Sequence, residues 1–207
     1  MELKNEQSTE ENILETAERI FLEKGYALTS TTEIAKAVGC NQALIHYYFR
    51  TKENLFNQIF ENKFKRLFEI LFEANALEQY TFKEKLKHIT ESHFNLLKEN
   101  PNLPLLIITE LSRQPEQVKL LIEKLHSLPG KFIARLNAEL QDEISAGRIR
   151  PVSLIDIIIS IISLNISLFL MLPIGKEILS LDEAQKEILL EHRKTEHVNL
   201  ILNNLKP

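Results

Sequence analysis

Apolar residues recur along this chain at spacings of three and four, and the interruptions fall at glycine, proline and small polar residues. Ile13, Leu14, Ala17, Ile20 and Phe21 form one stripe. They predict a helix from about Thr9 to Lys24, opened by a Ser8–Glu11 capping box and closed at Gly25. Ser30 with Glu33 opens a short helix to Val38, Gly39 supplies a turn, and Asn41 caps a helix from Gln42 to about Tyr48. Thr51 caps a longer helix from Lys52, with Leu55, Phe56, Ile59, Phe60, Phe64, Leu67 and Leu71 inward. Further helices are predicted from about Thr81 to Lys98, from Asn102–Pro104 to Arg113, and from Glu116 to about Ser145 with a kink or break at Pro129–Gly130. Pro151 and Ser153 start a strongly apolar helix that Pro173 and Gly175 close, and Ser180 with Glu183 caps a last helix to about Asn203. The pattern is that of an all-α protein of about nine helices, the fourth acting as connector. The division it suggests is an N-terminal domain over 8–62 and a C-terminal domain over 63–207.

The window from Thr31 to Arg50 carries a more specific pattern. With Thr31 as the first position, Ile34, Val38, Cys40, Ile45 and Tyr48 stand at the places where two sharply crossed helices share a buried face. Ala35 supplies the small residue that the crossing needs, and Gly39 the residue that a tight turn favours. This is a helix-turn-helix. In such a unit the second helix enters the major groove N-terminus first. Gln42, Ala43, His46 and Tyr47 point outward on it, with Asn41 at its start. Gln42 suits an adenine edge, Ala43 a thymine methyl, and the Tyr47 hydroxyl a phosphate. Thr31, Thr32 and Lys36 on the first helix, and Lys52 at the head of the next, stand where the DNA backbone would pass.

The stretch "ILETAERIFLEKGYALTSTTEIAKAVGCNQALIHYYFRTKENLF" resembles the DNA-binding domain of the TetR family of bacterial transcription regulators. The resemblance implies a homodimer, an operator with dyad symmetry, and a C-terminal domain that binds a small-molecule effector, most often to relieve repression. Together with their excess of apolar residues, it points to the segments at about 154–172 and 181–203 as the dimer interface. Cys40 stands where the family more often has an aliphatic residue, and Asn41 where serine or threonine is common.

Composition adds limits. The 207 residues suffice for one or two domains, and 44% apolar with 26% charged residues suit a soluble globular chain. Net charge is −4, so a basic DNA-facing surface must be local: Lys36, Arg50 and Lys52 against Glu33 give such an excess. One cysteine, Cys40, allows no intramolecular disulfide and reads as a small buried hydrophobe. The polar, acidic N-terminus is unlike a secretory signal, and the cytoplasm is the expected compartment. Leu154 to Leu172 is long enough to cross a bilayer, but Ser153, Asp156, Ser160, Ser163 and Ser167 put a polar stripe along it. A core or interface helix, not a membrane span, is therefore expected. The stripe either lines an effector cavity, with Asp156, Ser160, Ser163 and the off-line Asn165 as candidate ligand contacts, or lets two helices pack closely across a dimer axis.

No phosphate-binding glycine loop, nucleophile elbow or paired-histidine metal motif is present, so neither an enzyme nor a metal or other cofactor is expected. The leading reading is a ligand-responsive, DNA-binding repressor. Its alternative is a helical interaction protein whose degenerate helix-turn-helix binds no DNA.

Overall fold

The computed structural model describes residues 2–71, 79–113 and 130–207. Among these, nine helices occur and no strand. They are α1 (Glu2–Lys24), α2 (Thr31–Val38), α3 (Gln42–Phe49), α4 (Lys52–Leu71), α5 (Phe82–Glu99), α6 (Leu103–Arg113), α7 (Gly130–Ser145), α8 (Leu154–Ile178) and α9 (Glu183–Asn203). The predicted helix start at Glu116 and its break at Pro129 lie outside the described residues. The side chains of Phe60, Phe64, Leu67 and Leu71 do too.

Three predicted boundaries move. α1 begins at Glu2, which places Ser8 inside the helix instead of at its cap; Glu2 to Gln7 are mostly good helix formers and need no start signal at Ser8. α8 runs through Pro173 and Gly175 to Ile178. A proline removes its own N–H bond and crowds the carbonyl four residues before it, a local cost that the strongly apolar helix absorbs, and Gly175 does not take the left-handed φ that would end it. The cap of α9 is Asp182, paired reciprocally with Gln185, while Ser180 sits in the preceding turn at φ 52°. Two overlapping cap patterns compete there, and the aspartate wins.

The chain divides into two compact units, Met1–Arg66 with Leu105–Val118, and Leu67–Pro104 with Lys119–Pro207. The first is built on Ile13, Ala17, Ile20, Phe21, Ile34, Ala35, Ile45, Phe49, Leu55, Phe56 and Ile59, all buried, with Leu106 of α6 joining them. Each buried Leu, Ile or Phe among them contributes about 1.5–3 kcal/mol. An aromatic group ties α1 to α4: Phe21, Tyr26 and Phe56 have ring centroids 4.9–5.8 Å apart.

In the second unit α8 packs against α5, α7 and α9. Its Leu154, Ile157, Ile161, Asn165 and Phe169 are buried, at a spacing of three and then four residues. α8 has the length and hydropathy of a membrane span, yet this face is enclosed by neighbouring helices. Its outer face carries exposed Ile155, Ile159, Ile162, Met171, Ile174 and Ile178. Lys85 on α5, almost wholly buried, is held 2.6 Å from both carboxylate oxygens of Glu139 on α7.

Candidate nucleic-acid interface

Local chemistry sets the start of each helix in the turn unit. Ser30 is extended at φ −116°, and its hydroxyl accepts the Glu33 N–H (3.1 Å). The other half of the predicted box does not form, because Glu33 turns to Lys24, which holds its carboxyl below the usual carboxylate range. α2 ends in a left-handed Gly39 (φ 78°). Cys40 N–H reaches the Ala35 carbonyl at 2.9 Å and Gly39 N–H the Lys36 carbonyl at 3.3 Å, the pairing that satisfies the orphan carbonyls of a helix end. Asn41 then caps α3, its Oδ1 accepting from the Ala43 N–H (3.0 Å).

The buried side of this turn holds Ile34, Ala35, Ile45 and Phe49, with Val38, Cys40 and Tyr48 partly buried against them. Phe49 lies deeper than Tyr48. Burial pushes the Cys40 thiol up, away from the thiolate that redox chemistry requires.

Asn41, Gln42, Ala43, His46 and Tyr47 are exposed on α3, as are Thr32 and Lys36 on α2, while Thr31 is half-buried. Tyr47 is 68% exposed, so its ring is not held there by core packing. Gln42 is not loose. Thr32 Oγ1 donates to its Oε1 (3.1 Å), and its Nε2 donates to Thr31 Oγ1 (2.9 Å). The amide keeps one N–H and one lone pair for a base edge.

Lys52 is placed differently from its expected role at a phosphate. Its ammonium donates to the carbonyls of Tyr26 (3.0 Å) and Thr29 (2.9 Å) and lies 4.1 Å from the centre of the Tyr26 ring. Backbone acceptors leave no trace in a residue pattern, so nothing in the sequence pointed to this. Between α3 and α4, Arg50 has φ 66° and ψ −52°, and Thr51 N–H closes onto the Phe49 carbonyl at 2.7 Å. That is a tight three-residue turn of the strained kind, again without a sequence signal.

The candidate effector residues do not form one set. Asp156 and Ser160 border a cleft of about 240 Å³ with Arg150, Ile157, Ile201 and Leu205. Ser160 and Ser167 donate to their own helix carbonyls, at Asp156 (2.7 Å) and Leu164 (3.1 Å), and Ser163 is exposed outside that cleft. Asn165 is in phase with Ile157, Ile161 and Phe169, on the buried face. Its Nδ2 donates to the Thr90 carbonyl (3.1 Å) and to His93 Nδ1 (3.0 Å), and its Oδ1 accepts from His197 Nδ1 (2.7 Å). A carbonyl only accepts, so Thr90 fixes the amide orientation, and the amide in turn fixes both histidine tautomers. His197 Nε2 is then the acceptor for Arg193 (3.0 Å). Burial lowers His93 to about 4; burial and the Arg193 charge do the same for His197.

Comparison with known proteins agrees with this geometry. Residues 13–59 match the family model of bacterial regulatory proteins, tetR family. The fatty acid metabolism regulator protein of Bacillus subtilis (strain 168) is 29% identical over 138 residues, 67% of this chain and 69% of that protein. The HTH-type transcriptional regulator AcrR of Shigella flexneri is 34% identical over 90 residues, 42% of each chain. Among solved structures, the TetR-family regulator PfmR from Thermus thermophilus superimposes with a TM-score of 0.67 at 24% identity, over 94% of this chain and 99% of that one. FadR from Bacillus subtilis, solved with stearoyl-CoA, gives 0.65 at 22% identity, over 94% and 98%. With the helix-turn-helix, the all-helical fold and these relatives in agreement, the chain belongs to the TetR family of bacterial transcription regulators and is not an enzyme.

Proposed function

We propose that this regulator binds a dyad-symmetric operator as a homodimer, represses transcription there, and is released by an apolar small-molecule effector. The observation that carries the reading is the exposed row Gln42, Ala43, His46 and Tyr47 on a helix whose opposite side is locked into the core. Thr31, Thr32, Lys36 and Asn41 flank it as backbone contacts. Two such helices about one DNA turn apart, ~34 Å or a multiple, would read two half-sites.

Dimerisation draws support from the apolar side chains left open on α8, with Ile188 and Leu200 on α9. An apolar surface of this extent on a soluble chain calls for a partner, and a second copy supplies one of matching chemistry. The effector class is argued from the fatty acid metabolism regulator, a relative over two thirds of the chain, and from the stearoyl-CoA complex of a protein with the same fold. A long-chain acyl-CoA is therefore the first effector to try. Operator and effector would favour opposite states and so weaken each other's binding.

A mobility-shift assay on the chain's own upstream region tests this. Wild type should shift the duplex and lose it on adding stearoyl-CoA. Tyr47→Ala should bind about tenfold more weakly, a loss of about 1.4 kcal/mol, with its sedimentation mass unchanged. An unaltered shift for Tyr47→Ala would remove the α3 face from the contact surface.

A further inference from the structure

Lys52 opens α4, yet its ammonium is directed at the loop between α1 and α2. Two of its three N–H donors meet the Tyr26 and Thr29 carbonyls, and the cation lies against the Tyr26 ring. That ring is itself packed on Phe21 and Phe56. Inside the loop, Thr29 Oγ1 donates to the Gly25 carbonyl (2.8 Å), and the bond from the Thr29 N–H to the Tyr26 carbonyl is long at 3.3 Å. The next residue, Ser30, caps α2, and Thr31 and Thr32 immediately hold the Gln42 amide. One cation therefore links the head of α4 to the start of α2, and through two hydroxyls to the side chain that faces the bases. On the other side, α3 passes into α4 through the strained Arg50 turn, above the shared core of Ile45, Phe49, Leu55 and Phe56.

We propose that Lys52 is a positioning residue for sequence recognition, holding α2 and Gln42 in register with α4, and that it is not a phosphate ligand. The proposal rests on the reading of α2 and α3 as the DNA-binding face. The two roles differ in salt dependence. Removing one phosphate ligand lowers the slope of log affinity against log salt by about 0.9, whereas removing a positioning residue changes affinity and leaves the slope alone.

The test measures binding of a duplex from the chain's own upstream region, and of a scrambled duplex of equal length, across a range of KCl concentrations. Lys52→Met should weaken binding to the upstream duplex about tenfold or more, leave the scrambled duplex nearly unaffected, and keep the wild-type slope. Lys52→Arg, which can still donate to both carbonyls and stack on the ring, should restore most of the preference. Tyr26→Leu removes the ring and keeps every charge, so it should also lower the preference at unchanged slope. Lys36→Gln serves as the phosphate-ligand control, with a slope smaller by about 0.9. A slope reduced to the same extent by Lys52→Met, with Tyr26→Leu at wild-type preference, would overturn the proposal alone. No wild-type affinity for either duplex would instead overturn the DNA-binding reading beneath it.

Discussion

Each unit of the molecule contains a small group of hydrogen-bonded polar side chains, and the two groups are built for opposite ends. Thr31, Thr32 and Gln42 lie at the surface, and their bonds leave the Gln42 amide with spare donor and acceptor capacity. His93, Asn165 and His197 are buried, and both N–H groups of the amide between the two rings, as well as its oxygen, have partners inside the protein. The first arrangement orients a side chain for something outside the protein. The second contributes by leaving no buried group unpaired, which is what makes a polar core tolerable. Polar residues in helices thus say little by themselves; what distinguishes these two groups is the capacity each leaves unspent.

The largest test of this contrast is Asn165→Leu. It strands His93 Nδ1 and the His197 Nδ1–H, at about 1–3 kcal/mol for each group left unpaired, while the Thr90 carbonyl loses its second donor and keeps its bond within α5. Denaturant unfolding should show a loss of about 3–5 kcal/mol, while Gln42→Leu, at the exposed site, should fall within about 0.5 kcal/mol of wild type. Equal losses at the two sites would erase the distinction.

Acid comes next. His93 has its pKa lowered from 6.5 to about 4 in the folded chain, so the unfolded chain binds the extra proton in that interval. Stability is then complete above about pH 6.5 and falls as pH drops towards 4, by up to about 3 kcal/mol from His93 alone. Melting temperature recorded from pH 7 to 4.5 should follow this course, and His93→Gln should make it shallower, with His197 supplying the remainder. An acid dependence unchanged in His93→Gln would place its origin elsewhere.

At the exposed group the expected effect is on selectivity. Gln42→Ala should reduce discrimination at one base pair per half-site by about 1–3 kcal/mol, read by competition with single-substitution operators. Unfolding should hardly change. Cys40→Ala is the smallest effect, below about 2 kcal/mol in stability and none in operator binding, because its partly buried thiol only fills space beside the turn. Operator binding that responds to mild oxidants in wild type but not in Cys40→Ala would reverse that assignment.

The same contrast explains what could be read in the sequence. The helix-turn-helix was legible because its determinants lie within twenty residues at fixed phase: Ile34, Ala35 and Ile45 are buried, Val38, Cys40 and Tyr48 are partly buried against them, and Gln42, Ala43, His46 and Tyr47 are exposed. Helix ends were legible where one cap signal stood alone, as at Ser30 and Asn41, and missed where signals overlapped, as at Ser180 and Asp182. Asn165 was noticed as a polar residue out of line with the serine stripe, but its partners lie on α5 and α9, more than thirty residues away in either direction. Long-range pairing of that kind has no local period. Lys52 was singled out for its charge, while the bonds that direct it go to backbone carbonyls, which every residue possesses.

The most direct measurement is a titration of the intact protein with a duplex from its own upstream region, followed by backbone amide chemical shifts at low salt. The account predicts the largest changes at Thr31, Thr32, Gln42, Ala43, His46 and Tyr47, with the amides around Asn165 and His197 far less affected. Saturable binding whose shifts centred elsewhere and spared α2 and α3, or no shifts at all, would contradict it.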